Sequence, residues 1–352
     1  MFYFSINIFV FLLSVFQCLK PKLKDYKLFI LLIGLFLVLL VGLRGSNDEY
    51  TRIFVEAPHL SNFFDDITIA VNQGFGFAFI CSLISTLGFG SQALLFVFAF
   101  ASILIKLYYF KKFTKYFLFA VMIYLSHTII HHDWGAIRAG LASSMVLPMI
   151  YYLHKRKYLN YFILFIISFS IHYISIISIL LLFTNYRFKS SFLFLLLLAG
   201  YLFSHFNGLD YIINFLNPYG LIPPQLGNYI NWSKYNYEVS LLHPKILQQL
   251  LLSLLLIYLV HKFDKLKKYY FIINTYILST LFLVSMSGFA IVCFRTSIHF
   301  ISVEPILIPL IITCFKCHQY ILIFAVIFFV FISYLNYVHN QALPEYILFV
   351  RN

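Results

Sequence analysis

Apolar residues in this chain run in continuous blocks of about fifteen to nineteen, without the alternation of a half-buried strand or the single stripe of a soluble helix. The blocks predict helices at about 3–18, 28–43, 91–109, 117–131, 136–153, 191–206, 246–261, 270–288, 295–313 and 320–337. Lipid offers no water to satisfy backbone groups, so a segment apolar on every side over roughly 20 residues reads as a membrane-crossing helix. The first block, Phe2–Phe16, lacks a basic region before it and a small-residue cleavage site, which predicts a retained helix and not a signal peptide.

Composition agrees with the pattern. The 352 residues are 62% hydrophobic and 11% charged, with a mean hydropathy of +0.90, whereas a soluble domain carries roughly 25% charged residues. The expected fold is an all-α polytopic integral membrane protein, a single transmembrane domain over 1–352 with about 10–12 crossing helices and one or two re-entrant or interfacial segments. No separate soluble domain, fixed-period repeat or pair of Gly/Pro-broken helices marking an inverted-repeat transporter is visible.

Charge sets the orientation. The net charge of +13 points to short basic loops on one membrane side, and not to nucleic acid as a partner. Those loops are Lys20/Lys22/Lys24/Lys27, Lys111/Lys112/Lys115, Lys155/Arg156/Lys157, Arg187/Lys189, Lys262/Lys265/Lys267/Lys268 and Lys316. They share a side only if 67–88 and 159–184 do not cross, or cross twice, so 67–88 is expected to be interfacial or re-entrant. The stretch 159–184 becomes a bent or half-membrane hairpin, with His172 near its middle. The inner side, with Lys106 at its border, then holds 18 bases against two acids, Asp25 and Asp264, while the outer side holds seven bases and nine acids, Asp133 among them. The outer side carries two notable loops, 44–66 and 207–245.

Candidate chemistry gathers on that outer side. Arg44 ends the second block, Arg138 sits in "HHDWGAIRAGLA" and Arg295 in "CFRTSIHF". Charge at membrane depth is expensive, and a guanidinium fork suits phosphate oxygens, so three such arginines on one face point to an anionic group held at the outer surface. His127, His131, His132, Asp133, His172 and His299 are candidate bases on or near that face. Glu304 could serve as the buried partner of Arg295 or as another base. In the 207–245 loop, Tyr211, Tyr219, Tyr229, Trp232, Tyr235 and Tyr237 could stack on sugar rings or form an ordinary aromatic belt. The five cysteines give no disulfide framework, and Cys314-x-x-Cys317 lacks a second ligand pair. With no acidic metal pair and no nucleotide fingerprint, neither metal nor cofactor is expected.

These pieces resemble a known family. "LRGSNDEYTRIF" resembles the Arg-Gly…Asp…Tyr…Phe element of EpsG-like membrane proteins. "IRAGLASSMVLPMIYYLHKRKYLNYFILFIISFSIHYISII" is similar to that family's Ile-Arg-x-x-Leu-Ala helix, basic loop and Phe-x-x-His-x-Ser segment. The matching positions are Arg44, Gly45, Asp48, Tyr50, Phe54, Arg138, Ala142 and His172; two departures are the short Asp-to-Tyr spacing and Ala139 in place of Gln. The resemblance implies a role like that of Wzy-type polymerases: a multi-pass protein of the bacterial inner (cytoplasmic) membrane that joins oligosaccharide units carried on undecaprenyl diphosphate into O-antigen, capsule or exopolysaccharide. A hydroxyl of one unit would attack the anomeric carbon of the other and expel the lipid diphosphate. Arg44, Arg138 and Arg295 would bind the diphosphate, Asp48, His131 or His172 would act as base, and Tyr50, Trp232 and Tyr235 would meet the sugar. The partners so implied are the lipid-linked oligosaccharide, membrane lipid and a chain-length regulator protein. Two alternatives stand beside it: a flippase or transporter of the lipid-linked unit, with charge along a mid-depth cavity, and a membrane O-acyltransferase.

Overall fold

A computed structural model describes residues 2–19, 26–45, 48–65, 74–219, 237–315 and 318–339. Among them no strand occurs, and the chain is an all-α polytopic membrane protein. It divides into two compact units, Met1–Ser178 with Glu304–Asn352, and Ile179–Val303.

Unit 1 opens with α1 (Phe2–Leu19), α2 (Tyr26–Gly42), the short polar α3 (Asp48–Glu56), α4 (Phe75–Thr86) and α5 (Ser91–Phe113). Then follow α6 (Phe117–Ile123), two π-helical turns (Tyr124–Thr128 and Ile130–Trp134), α7 (Ile137–Ser144), α8 (Val146–His154) and α9 (Tyr158–Ile171). Unit 2 holds α10 (Leu181–Thr184), α11 (Ser190–His205), α12 (Gly208–Leu216), α13 (Pro244–Lys262), α14 (Asp264–Lys267), α15 (Tyr270–Ser285) and α16 (Ala290–Ile301). The chain closes in unit 1 with α17 (Glu304–Ile312) and α18 (His318–His339).

Helices α5 and α13 are each long and apolar enough to cross a membrane alone, and α11 with α12 qualifies as a pair bent by 67° at left-handed Asn207. Other expected spans break where the sequence supplies a reason. In 136–153, Pro148 has no N–H for the carbonyl of Ser144, and the helix divides at Met145. The block 295–313 likewise becomes α16 and α17, because Pro305 cannot donate to Ile301.

The two ambiguous stretches resolve as short elements. Residues 66–73 lie outside the described residues, but α4 has 12 residues, about 18 Å of rise, too little for a hydrocarbon core of roughly 30 Å. In 159–184, α9 stops at extended His172 and a 3-10 stretch, Tyr173–Leu180, follows. The Tyr161 hydroxyl donates to the Ser178 carbonyl at 2.9 Å, where a straight helix would separate those residues by about 25 Å. The segment folds back on itself around His172.

Polar groups inside these helices are satisfied locally or by neighbours, as hydrocarbon requires. Ser14, Ser82, Thr86 and Thr275 donate to carbonyls four residues back. Buried Gln17 of α1 accepts the N–H of Leu118, supplying a partner that the first turn of α6 lacks. Glycines let helices touch: a Cβ on Gly42 of α2 would lie 2.9 Å from the Phe96 ring of α5.

In unit 1 the basic loops 111–115 and 155–157 share one end, where Lys112 lies 3.5 Å over the Tyr151 ring. Arg44 lies toward the opposite end, where Gln92 of α5 donates to Gly42.

Candidate functional site

The site begins with a change of helical pitch. From Tyr124 to Trp134 the chain runs through two π-helical turns. Such turns insert a residue and re-aim side chains, and they recur at functional positions. Here they bring Asp133 against the middle of α5. Its Oδ2 lies 2.6 Å from Lys106 Nζ, and both side chains are buried. Ser102 and Tyr124 donate to the same carboxylate, and the ammonium sits 5.3 Å over the Tyr124 ring. The carboxylate is thus held by three donors from two segments.

This pairing corrects the charge count made from sequence. Lys106 is not a border residue of a basic loop, and Asp133 is not an outer-loop acid; both belong to the helix interior. Each leaves its own side of the count, so the positive-inside asymmetry keeps its sense.

Gly140 makes the arrangement possible. A Cβ there would come within 2.9 Å of the His132 carbonyl and 3.0 Å of Asp133 Oδ1, and the Gly140 carbonyl accepts from both Ser102 and Ser143. Ser143 also lies 2.9 Å from His132 Nδ1, locking that buried ring.

The backbone of the same turn positions an arginine. Arg44 Nη1 donates to the Asp133 carbonyl at 2.8 Å, with the guanidinium 5.7 Å from the Trp134 ring. Arg44 is only 4% exposed, and its Nη2 has no hydrogen-bond partner among the described residues. Tyr50, buried on α3, lies within electrostatic reach of Arg44.

Arg138 follows one turn later, on α7, half-buried with its guanidinium 5.0 Å over the Phe77 ring of α4. Its charge reaches Tyr173. Register brings His172 to the same level. Helices α7–α8 and α9 form an antiparallel pair around the turn at Arg156, and Ser168 of α9 donates to the Ala142 carbonyl of α7. Moving one turn along each helix from that contact, in opposite senses, reaches His172 and Arg138. His172 Nδ1 accepts the Ile174 N–H at 3.3 Å, so a neutral ring carries its proton on Nε2 and is a donor there.

Of the residues expected from sequence, unit 1 therefore gathers Arg44, Arg138, His172 and Tyr50. Asp48 opens α3 and His131 lies within the second π-helical turn. Arg295 belongs to unit 2, on α16, and Glu304 is buried at the start of α17. Trp232 and Tyr235 lie outside the described residues. Sequence reasoning missed Lys106, Ser102, Tyr124 and Trp134. One signal was available: Lys106 is a lone lysine inside "FASILIKLYYF", seven residues from the end of α5, and an ionisable group so placed needs a partner.

Residues 27–349 match the model of the EpsG family. No curated protein and no solved structure matches the chain. The match covers nearly the whole sequence, so the chain belongs to the EpsG family and, with it, to polysaccharide biosynthesis.

Proposed function

From this family membership and the geometry of unit 1, we propose that the protein is a polymerase that joins oligosaccharide repeat units carried on undecaprenyl diphosphate. It would act at the periplasmic face of the bacterial inner membrane, where the positive-inside rule puts the end opposite the basic loops. The observation that carries the reading is Arg44. A guanidinium that is 4% exposed, anchored through one nitrogen and without a partner on the other among the described residues, suits an anionic ligand not made of this chain.

In this reading the diphosphate of the donor lies between Arg44 and the Arg138–His172 level. The acceptor hydroxyl oxygen bonds the anomeric carbon, the bond from that carbon to the diphosphate oxygen breaks, and undecaprenyl diphosphate leaves. Negative charge builds on the departing oxygen, and fixed cationic donors stabilise that charge more than the ground state. His172 joins them as an Nε2–H donor, a narrower role than the base assigned from sequence. The proton released by the acceptor then falls to Asp48 or His131. Tyr50 and Trp134 supply ring faces beside Arg44 for the first sugar.

Arg138→Ala tests the reading. The variant should insert and accumulate as the parent does but yield no polymer ladder, and Arg138→Lys should restore only part of it, because the planar fork is lost. A normal ladder from the Ala variant removes Arg138 from the site. Deletion of the gene separates the polymerase from a carrier: single repeat units should remain on the lipid-A core, whereas loss of a flippase would leave none.

A further inference from the structure

We infer that unit 2 carries a second binding site, for the phosphodiester headgroup of an anionic phospholipid, in a cavity of about 380 Å³ lined by α11, α13, α14 and α15. It lies at the basic-loop end of those helices, and none of its lining residues is used in the proposed transfer.

The cavity has a charged rim and an apolar floor. Arg187, Lys189 and Lys267 stand on the rim, all exposed, while Leu193, Ile257 and Ile273 beneath them are buried. Lys267 is engaged by Asp264 at 2.7 Å. Among the described residues no acid pairs with Arg187 or Lys189, so the rim keeps two cations to offer.

The rim is built and not a loose loop. Asn274, buried on α15, donates through Nδ2 to the carbonyls of Thr184 at 3.0 Å and Tyr186 at 2.8 Å. The Tyr270 hydroxyl donates to Asn185 Oδ1 at 3.1 Å, and the Arg187 guanidinium sits 5.3 Å from the Tyr270 ring. Ser190 ties the segment to the Ile257 carbonyl of α13. Lys189 is the N-cap of α11 and no side chain caps that end, so the first N–H groups of a 16-residue helix open beside the two cations. Free helix N–H groups next to fixed positive charge favour a phosphate oxygen.

The floor identifies the bearer of that phosphate. A free anion gains nothing from Leu193, Ile257 and Ile273. A lipid does, and its acyl chain could continue over the exposed Phe192 and Leu195 of α11 and Leu255 and Tyr258 of α13. Basic pockets between helices at the positive-inside face meet an anionic leaflet.

The test uses the full chain, purified in detergent and titrated with phosphatidylglycerol, with phosphatidylcholine of the same acyl chains, and with inorganic phosphate, bound lipid being counted by native mass spectrometry. Phosphatidylglycerol should bind and phosphatidylcholine should not. The double variant Arg187→Gln/Lys189→Gln, altered only on the exposed rim, should weaken phosphatidylglycerol by roughly 30-fold. Lys262→Gln/Lys265→Gln, basic residues of the same face that do not line the cavity, should leave it within about twofold. Unchanged affinity in the rim variant, or equal binding of phosphatidylcholine, overturns the proposal. Displacement of the lipid by low-millimolar phosphate would show a free-anion site and overturn the lipid assignment.

Discussion

The interiors of the two units solve the same problem with different chemistry. Unit 2 crosses its helices with neutral groups: Ser253 meets Thr280 at 2.8 Å, Ser279 donates to the Ser297 carbonyl at 2.8 Å, and Ser297 reaches Gln249 at 3.4 Å. Unit 1 places a full ion pair, Lys106 with Asp133, at comparable burial. Hydroxyl and amide bonds between membrane helices contribute about 0.6 kcal/mol each, and they leave little behind when removed. A buried ion pair is rarely worth more than apolar packing of the same volume, yet losing one partner strands a charge. The neutral ladder therefore explains helix association, and the ion pair calls for another reason. Its geometry supplies one: the carboxylate anchors the π-helical turn whose carbonyl holds Arg44.

The largest expected effect comes from stranding one charge. Lys106→Met or Asp133→Leu alone should cost about 3–5 kcal/mol and sharply reduce folded protein, read as monodisperse protein after membrane extraction. The double variant Lys106→Met/Asp133→Leu should recover accumulation, because no unpaired charge remains, while its polymer ladder stays short because the turn is no longer pinned. A full-length ladder from the double variant would make the pair purely structural and dissolve the contrast.

Gly140→Ala probes the same turn more gently. Its added Cβ meets backbone at 2.9 Å, so the π-helical segment must shift, at a cost of about 1–3 kcal/mol. Thermal unfolding in detergent should register that loss, with polymer length falling alongside. Stability equal to the parent would mean that the turn gives way freely. The smallest effect belongs to unit 2. Ser279→Ala should change stability by only about 0.6 kcal/mol and leave the ladder intact; a loss as large as that of Gly140→Ala would erase the distinction between the two interiors.

Much of this protein was legible beforehand, for identifiable reasons. The apolar blocks revealed the class because lipid tolerates little else. Charge narrowed 159–184 to a stretch that does not cross or crosses twice, because the basic loops on either side were to share a membrane face. The structure shows it folding back at His172. Arg44 and Arg138 stood out because guanidinium groups rarely end apolar helices without a task. The blocks 136–153 and 295–313 were each read as one helix, although Pro148 and Pro305 marked a break in both.

By itself, the sequence determined an all-helical membrane protein of the EpsG family, its charge asymmetry and the arginines at the ends of apolar blocks. Each of these depends on local composition or on spacing within one segment. Only the tertiary structure decided that Lys106 and Asp133, 27 residues apart, share one carboxylate site, that Arg44 hangs from the Asp133 carbonyl, and that Arg138 and His172 stand at one level. Helical periodicity states which face of a helix is polar, but partners on different helices are chosen by packing. The π-helical turns that re-aim residues 130–134 add one residue per turn, an offset too small to leave a mark in the pattern of apolar positions.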